Sequence, residues 1–132
     1  MTLLIVVEKD IELELMKTAY GLLYEVENTL RSYISRNMED YYGIHWFEVA
    51  PRKEFNRPPS RSFDTLNISD YSSYFSLYPK AFKKIPRKYL TLLHQIYPLR
   101  NKIAHNHLLT QEEFELLEEN VVFLVSYMQK KL

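Results

Sequence analysis

Three stretches of this chain carry apolar residues at alternating spacings of three and four, the period of one face of an α-helix. They span residues 10–38, 86–105 and 111–130. The apolar positions are Ala19, Leu23, Val26, Leu30 and Tyr33 in the first, Leu92, Ile96, Leu99 and Ile103 in the second, and Phe114, Leu117, Val121, Leu124 and Met128 in the third. We therefore predict three long helices, each with one apolar face.

Composition favours a single all-helical domain. The 132 residues are 46% hydrophobic and include only two glycines and no cysteine. Scarce glycine argues against phosphate-binding loops, dinucleotide fingerprints and the turn-rich pattern of all-β folds. Without cysteine there is no disulfide, thiolate nucleophile or Cys-ligated zinc. We predict one all-α domain over residues 1–132, an up-and-down bundle of four to five helices with a long loop after the first.

The loop is predicted at residues 51–70, where three prolines and several serines interrupt any helical period. A shorter helix is expected to begin near Asp70. The longest unbroken apolar run, residues 3–7, is far shorter than the roughly 20 residues of a membrane span, and no basic segment precedes it. We therefore expect a cytoplasmic protein that does not bind membranes.

Several residues predict where the helices end. Pro86 suits the first turn of the second long helix, and Thr110 followed by Glu113 is a capping-box pattern at the start of the third. Pro98 should kink the second long helix, and Asn106 is expected to cap its C-terminus.

The formal net charge is zero, but the charges are unevenly distributed. Residues 41–109 contain eleven basic and four acidic side chains, whereas the segments on both sides are acidic on balance. We predict that the basic middle segment binds the phosphates of RNA. The side chains assigned to this contact are Lys83, Lys84, Arg87, Lys88, Lys102 and His107. The alternative is that they only keep the surface soluble.

Residues 97–107 gather groups that suit phosphate chemistry around the end of a helix. RNA cleavage without metal needs a base for the ribose 2′-OH, an acid for the leaving oxygen and a cation for the developing charge. Arg100, Asn101 and His105 are the candidate catalytic residues. On a straight helix Arg100 and His105 point about 140° apart, whereas Asn101 and His105 share a face. Either the kink re-aims them, or two copies combine their groups in a symmetric dimer.

Taken singly, these residues have a purely structural interpretation. Arg100 and Asn101 would then be exposed helix residues, and His105 would cap the last carbonyls of the helix.

Two motifs resemble those of HEPN domains. The hexapeptide from Arg100 to His105 resembles the family's R-x4-6-H motif, including the polar Asn101 directly after the arginine. Residues 26–34, which include Glu27, Leu30 and Arg31, resemble the E-x-x-L-R segment of the HEPN branch found in Swt-type ribonucleases. Helix order and motif position also match, so the resemblance covers most of the chain.

The resemblance implies an all-helical domain that forms homodimers with the motifs facing a shared cleft. Many HEPN domains are metal-independent endoribonucleases in toxin–antitoxin and phage-defence systems, which makes Arg100 and His105 catalytic and Asn101 supporting by analogy. Other HEPN domains are inert scaffolds or nucleotide-binding modules. Toxins with a nucleotidyltransferase antitoxin usually carry H-x-Y, whereas this chain has His107 at the third position. The resemblance therefore gives no support for neutralisation by modification there.

We expect neither a metal nor another cofactor. The four histidines lack the H-E-x-x-H spacing of a zinc helix, and no G-x-S-x-G nucleophile elbow is present. Aromatic residues near the basic loop either stack on bases or, as we prefer, anchor the core and loops. They are Tyr41, Tyr42, Trp46 and Phe47. Two functions stay open: a ribonuclease, and a non-catalytic helical partner module.

Overall fold

The computed structural model describes the backbone of residues 2–59 and 61–132, and the side chains of this part from residue 10 onward. These residues form five α-helices and no strand. The helices are α1 (Thr2–Tyr42), α2 (Trp46–Phe55), α3 (Ile68–Leu77), α4 (Arg87–Ala104) and α5 (Gln111–Lys130), with a short 3-10 turn at Phe63–Thr65. The predicted all-α bundle is confirmed. Ser60 of the predicted loop and the side chains of residues 3–7 lie outside the described part.

The three long helices α1, α4 and α5 form an up-and-down frame. α4 and α5 are antiparallel: Asn120 donates a 2.8 Å hydrogen bond to Gln95, and the rings of Tyr89 and Tyr127 stack with centroids 3.8 Å apart. α1 is parallel to α5, since Met16 lies in one groove with Phe114. At the other end Arg36 donates to the carbonyl of Leu132. α1 and α4 are therefore antiparallel.

The core confirms nearly all of the predicted apolar faces. All five predicted positions of α1 are buried, as are four of the five in α5. In α4 the prediction was wrong at one position, because Leu93 is buried and Leu92 is only half-buried. A period of 3.6 residues allows either leucine to begin the face, and packing between α1 and α5 selects Leu93.

The predicted loop over residues 51–70 was wrong at both ends, because residues 51–55 belong to α2 and α3 begins at Ile68. The described residues between them form no α-helix, so the loop is confirmed there, but it follows α2 and not the first helix. α2 continues through Pro51 to Phe55, where Asn56 ends it in the left-handed conformation with φ 52°. Proline removes one backbone donor from the helix, but burial of Trp46 and Ala50, one turn apart, holds this face of α2 on the core. Trp46 therefore anchors the core, as preferred from the sequence, whereas Tyr41 is exposed.

The helix expected near Asp70 begins two residues earlier, at Ile68. The side chain of Asn67 accepts a 3.0 Å hydrogen bond from the backbone of Asp70, whose carboxylate accepts from the backbone of Asn67. The same reciprocal capping box joins Thr110 and Glu113 and confirms the predicted start of α5. α4 runs unbroken through Pro98, with Pro86 immediately before its first residue. Among the described residues, none of the helices combines the length and the apolar character of a membrane span.

Candidate active site

The C-terminus of α4 positions the histidine of the R-x4-H motif. His105 is the first residue beyond the helix and its side chain is exposed. Asn106 follows in the left-handed conformation, with φ 59°, and its N–H donates to the carbonyl of Ile103. The N–H of His107 donates to the carbonyl of Lys102 at 2.8 Å, which completes a Schellman motif. The predicted cap at Asn106 is thereby confirmed.

The left-handed conformation of Asn106 gives a stability prediction. A side chain with a Cβ atom costs about 1 kcal/mol or more in this conformation, and asparagine tolerates it better than alanine. We expect Asn106→Ala to lower the free energy of unfolding by about 1 kcal/mol, whereas Asn106→Gly leaves it nearly unchanged. Urea denaturation of the two variants measures this difference. Equal stability of both variants would contradict the assigned conformation.

Arg100 and Asn101 lie half-buried one turn before the end of α4. The guanidinium of Arg100 donates to Oδ1 of Asn101 at 3.3 Å. Tyr97, four residues before Asn101, places its hydroxyl beside the side chains of Asn101 and of Ser69 in α3. Hydrogen bonds from these two groups lower the pKa of the Tyr97 hydroxyl below its ordinary value. The first turn of α3 thus borders the motif of α4.

One polar face of α1 lies along the same site. Tyr20, Tyr24, Glu27 and Arg31 follow each other at spacings of four, three and four, and so project from one side of the helix. The Tyr20 hydroxyl donates to the backbone carbonyl of Ile103 at 3.1 Å, which joins this face to the last turn of α4. Tyr24 is 73% exposed. α1 therefore places Tyr20 against the last turn of α4, with the exposed Tyr24 on the same face of α1.

The glutamate and the arginine of the E-x-x-L-R segment are four residues apart, a spacing that usually gives an exposed ion pair on a helix surface. In this protein both side chains are partly buried. Leu30 is in the core, and the side chains of Glu27 and Arg31 are 33% and 28% exposed with a nitrogen–oxygen distance of 3.8 Å. Arg31 Nε donates to the Tyr71 hydroxyl at 2.8 Å, and that hydroxyl donates to the carbonyl of Phe63. The hydrogen bond to Tyr71 raises the pKa of Arg31 above its ordinary value. Arg31 thus ties α1 to α3 and to the 3-10 turn.

Helical geometry turns the arginine and the histidine of the motif toward different sides of α4. Helical backbone up to Ala104 keeps Arg100 and His105 about 140° apart around the axis. The hydrogen bond found for the Arg100 guanidinium in the described part of the chain goes to Asn101. Asn101 bonds to Arg100 and lies on the same side of α4 as His105, so within one protomer it connects the two sides.

The predicted RNA-binding residues fall into two groups rather than one patch. Lys83 and Lys84 are exposed in the segment before α4, and Arg87 and Lys88 are exposed in its first turn. By the rise of the helix, Arg87 and Lys88 are about 25 Å from His105. His107 and Lys102 lie at the other end. The ammonium of Lys102 pairs with the carboxylate of Glu113 and holds the pKa of Glu113 below its usual range. A strand that touched both groups would have to span several nucleotides.

Sequence reasoning missed the residues that border the motif. Tyr20 bonds to the backbone of Ile103, and Tyr97 lies beside Asn101 and Ser69. The i,i+4 spacing of Tyr97 and Asn101 was a readable signal for one of them. Nothing in the sequence pairs Ser69 with Tyr97, because that contact joins two helices.

Comparisons of the chain with family models, curated proteins and solved structures gave no match. Among the described residues, no group of three or more His, Asp or Glu side chains is arranged to hold a metal ion.

Proposed function

We propose that this protein is a metal-independent, HEPN-type endoribonuclease that cleaves single-stranded RNA. The observation that carries the proposal is the end of α4, where Arg100 and Asn101 form a half-buried pair one turn before an exposed, capping His105. The half-buried Arg31 and Glu27 on the neighbouring α1 support it. A fixed guanidinium and a solvent-accessible imidazole are the groups that phosphodiester cleavage near neutral pH requires.

In the proposed reaction the ribose 2′-oxygen attacks the adjacent phosphorus, and a base removes the 2′-OH proton. The bond from phosphorus to the 5′-oxygen breaks, and an acid protonates that oxygen. The products are a 2′,3′-cyclic phosphate and a free 5′-hydroxyl, so no water or oxidant is consumed. Arg100 binds the charged phosphate oxygens, Asn101 orients Arg100, and His105 transfers a proton.

Within one protomer, Arg100 and His105 point about 140° apart around the axis of α4. A symmetric homodimer that brings two copies of α4 together places the Arg100 of one copy near the His105 of the other and so resolves this separation. We therefore propose a homodimer as the active form.

We further propose that the enzyme acts in the cytoplasm as a toxin or phage-defence effector. A ribonuclease of this kind would be controlled by an antitoxin or another protein of the defence system. If so, expression of the protein without its antidote should slow growth.

The second candidate function is a non-catalytic helical partner module. Exposed tyrosines on α1 and α4 favour it, since tyrosine and arginine are enriched at protein interfaces. Tyr20, Tyr24 and Tyr97 are 48%, 73% and 40% exposed. In this case Arg100→Ala would weaken a complex while RNA stays intact, and expression without an antidote would be tolerated.

Cleavage should persist when divalent metals are removed. The proposed mechanism assigns every catalytic role to side chains, so excess EDTA should leave the rate on a labelled, unstructured RNA nearly unchanged. Mapping of the product ends should find 2′,3′-cyclic phosphates. Loss of cleavage in EDTA and its recovery with magnesium would contradict this mechanism.

A further inference from the structure

A cleft of about 260 Å³ lies between α2, the segment after it and α3. Aromatic rings form much of its wall, and the guanidinium groups of Arg57 and Arg61 are exposed at the cleft. The aromatic wall residues are Trp46, Phe47, Phe55, Tyr74 and Tyr78. The cleft therefore combines flat apolar surfaces with positive charge.

Polar side chains of α3 also line this cleft. The carboxylate of Asp70, 28% exposed, is 3.4 Å from the guanidinium of Arg61, and Ser73 follows one turn later. Arg57 lies over the ring of Phe55, 5.2 Å from its centroid. Proteins recognise unstacked bases with such a set: rings for stacking, hydrogen-bonding groups for base edges and cations for the phosphates. An apolar peptide side chain would use the rings but not the two guanidinium groups.

The cleft lies next to the helix that carries the candidate active site. Asp70 lines the cleft from α3, and α3 packs against α4, which contains Arg100 and Asn101. The two sites thus lie on neighbouring helices. A strand with one phosphate on Arg100 can therefore direct a neighbouring nucleotide toward the cleft.

We propose that the cleft between α2 and α3 is a nucleobase-binding subsite for the RNA strand that the Arg100 site cleaves. This inference rests on the proposed function, and it adds a source of sequence preference that the motif alone does not supply. One flipped-out base inserts between the aromatic walls, Asp70 and Ser73 face its polar edge, and Arg57 and Arg61 bind the flanking phosphates.

Trp46 makes the proposal directly measurable, because it is the one tryptophan of the chain and lines the cleft. The wild-type protein is titrated with a short, unstructured 2′-O-methyl RNA, which lacks the attacking hydroxyl and cannot be cleaved. We expect a saturable change in tryptophan emission that differs among oligonucleotides of different base composition. An abasic phosphate backbone of equal length should produce little change. No response to any RNA, or an equal response to the abasic chain, would overturn the proposal.

A matched pair of substitutions in α3 tests the location. Ser73→Phe fills the cleft, whereas Ser76→Phe adds the same ring at an exposed position outside it. Both serines donate to a carbonyl three residues earlier, so the two variants lose the same local hydrogen bond. We expect Ser73→Phe to weaken RNA binding about tenfold or more and Ser76→Phe to leave it unchanged. Equal affinity of both variants would overturn the proposal.

The rim arginines provide a second test that leaves the core intact. Arg61→Ala should weaken binding several-fold, and Arg52→Ala serves as control because Arg52 pairs with Glu48 outside the cleft. Cleavage of ordinary RNA by the same proteins tests the nuclease activity separately from the nucleobase-binding subsite. Emission changes without cleavage in any protein would refute the nuclease and support the subsite. Cleavage by Ser73→Phe with the sequence preference of wild type would refute the subsite alone.

Discussion

Replacement of His105 by alanine should lower the rate of RNA cleavage by a factor of about 10² to 10⁴, the usual contribution of a general acid or base. The fold should not change, because His105 is exposed and its contact with α4 is a backbone N–H bonded to the carbonyl of Asn101, which alanine retains. The measurement is single-turnover cleavage of a labelled, unstructured RNA in excess EDTA. Circular dichroism and thermal melting of both proteins accompany it.

His94→Ala is the matched control for this substitution. His94 is also an exposed histidine of α4, about 16 Å before His105 along the helix. Its removal changes the same chemical group and should leave cleavage at the wild-type rate. Equal cleavage by wild type and His105→Ala would count decisively against the ribonuclease and would favour the partner module.

Mixing two inactive variants tests whether the site combines two chains. Arg100→Ala should lose about 10²- to 10³-fold in rate by removing the cation that binds the phosphate. If Arg100 of one copy acts with His105 of the other, a mixture of Arg100→Ala and His105→Ala should recover up to about a quarter of the wild-type activity. Half of the randomly formed dimers would be mixed, and each would contain one intact site. No recovery would place the arginine and histidine of each site in the same chain.

The largest loss of stability is expected from Tyr71→Ala. Tyr71 is completely buried, and its hydroxyl connects Arg31 of α1 with the carbonyl of Phe63. Truncation of a large buried aromatic ring typically costs about 3–5 kcal/mol. Because whole domains are stabilised by only about 5–15 kcal/mol, this variant should lose a large part of its free energy of unfolding. The measurement is the free energy of unfolding in urea.

Tyr71→Phe separates the hydrogen bonds from the packing. It keeps the ring but leaves Arg31 Nε and the Phe63 carbonyl without their partner, which should cost about 1–3 kcal/mol. Tyr24→Ala, at a side chain that is 73% exposed, is the control and should change stability by less than about 0.5 kcal/mol. If Tyr71→Phe were as stable as wild type, the chain from Arg31 through Tyr71 to Phe63 would not contribute to holding α1 against α3.

Local signals were sufficient for the parts of the fold that depend on neighbours in sequence. Thr110 and Glu113 predicted the start of α5 because a capping box is complete within four residues. Asn106 predicted the end of α4 because the Schellman motif that it forms uses only the last turn of the helix and the two residues after His105. α2 was missed because Pro51 reads as a helix breaker, whereas burial of Trp46 and Ala50 outweighs one absent hydrogen bond.

The candidate site also has a part that could be predicted from the sequence and a part that could not. Periodicity, caps and motif spacing predicted an all-helical chain with Arg100, Asn101 and His105 at the end of one helix, because these signals are properties of adjacent turns. The tertiary structure brings Tyr20, Ser69 and Tyr97 to this motif from other turns and helices. It also decided that the basic residues at the start of α4 lie far from His105, because contacts and separations between helices follow from how whole faces pack together.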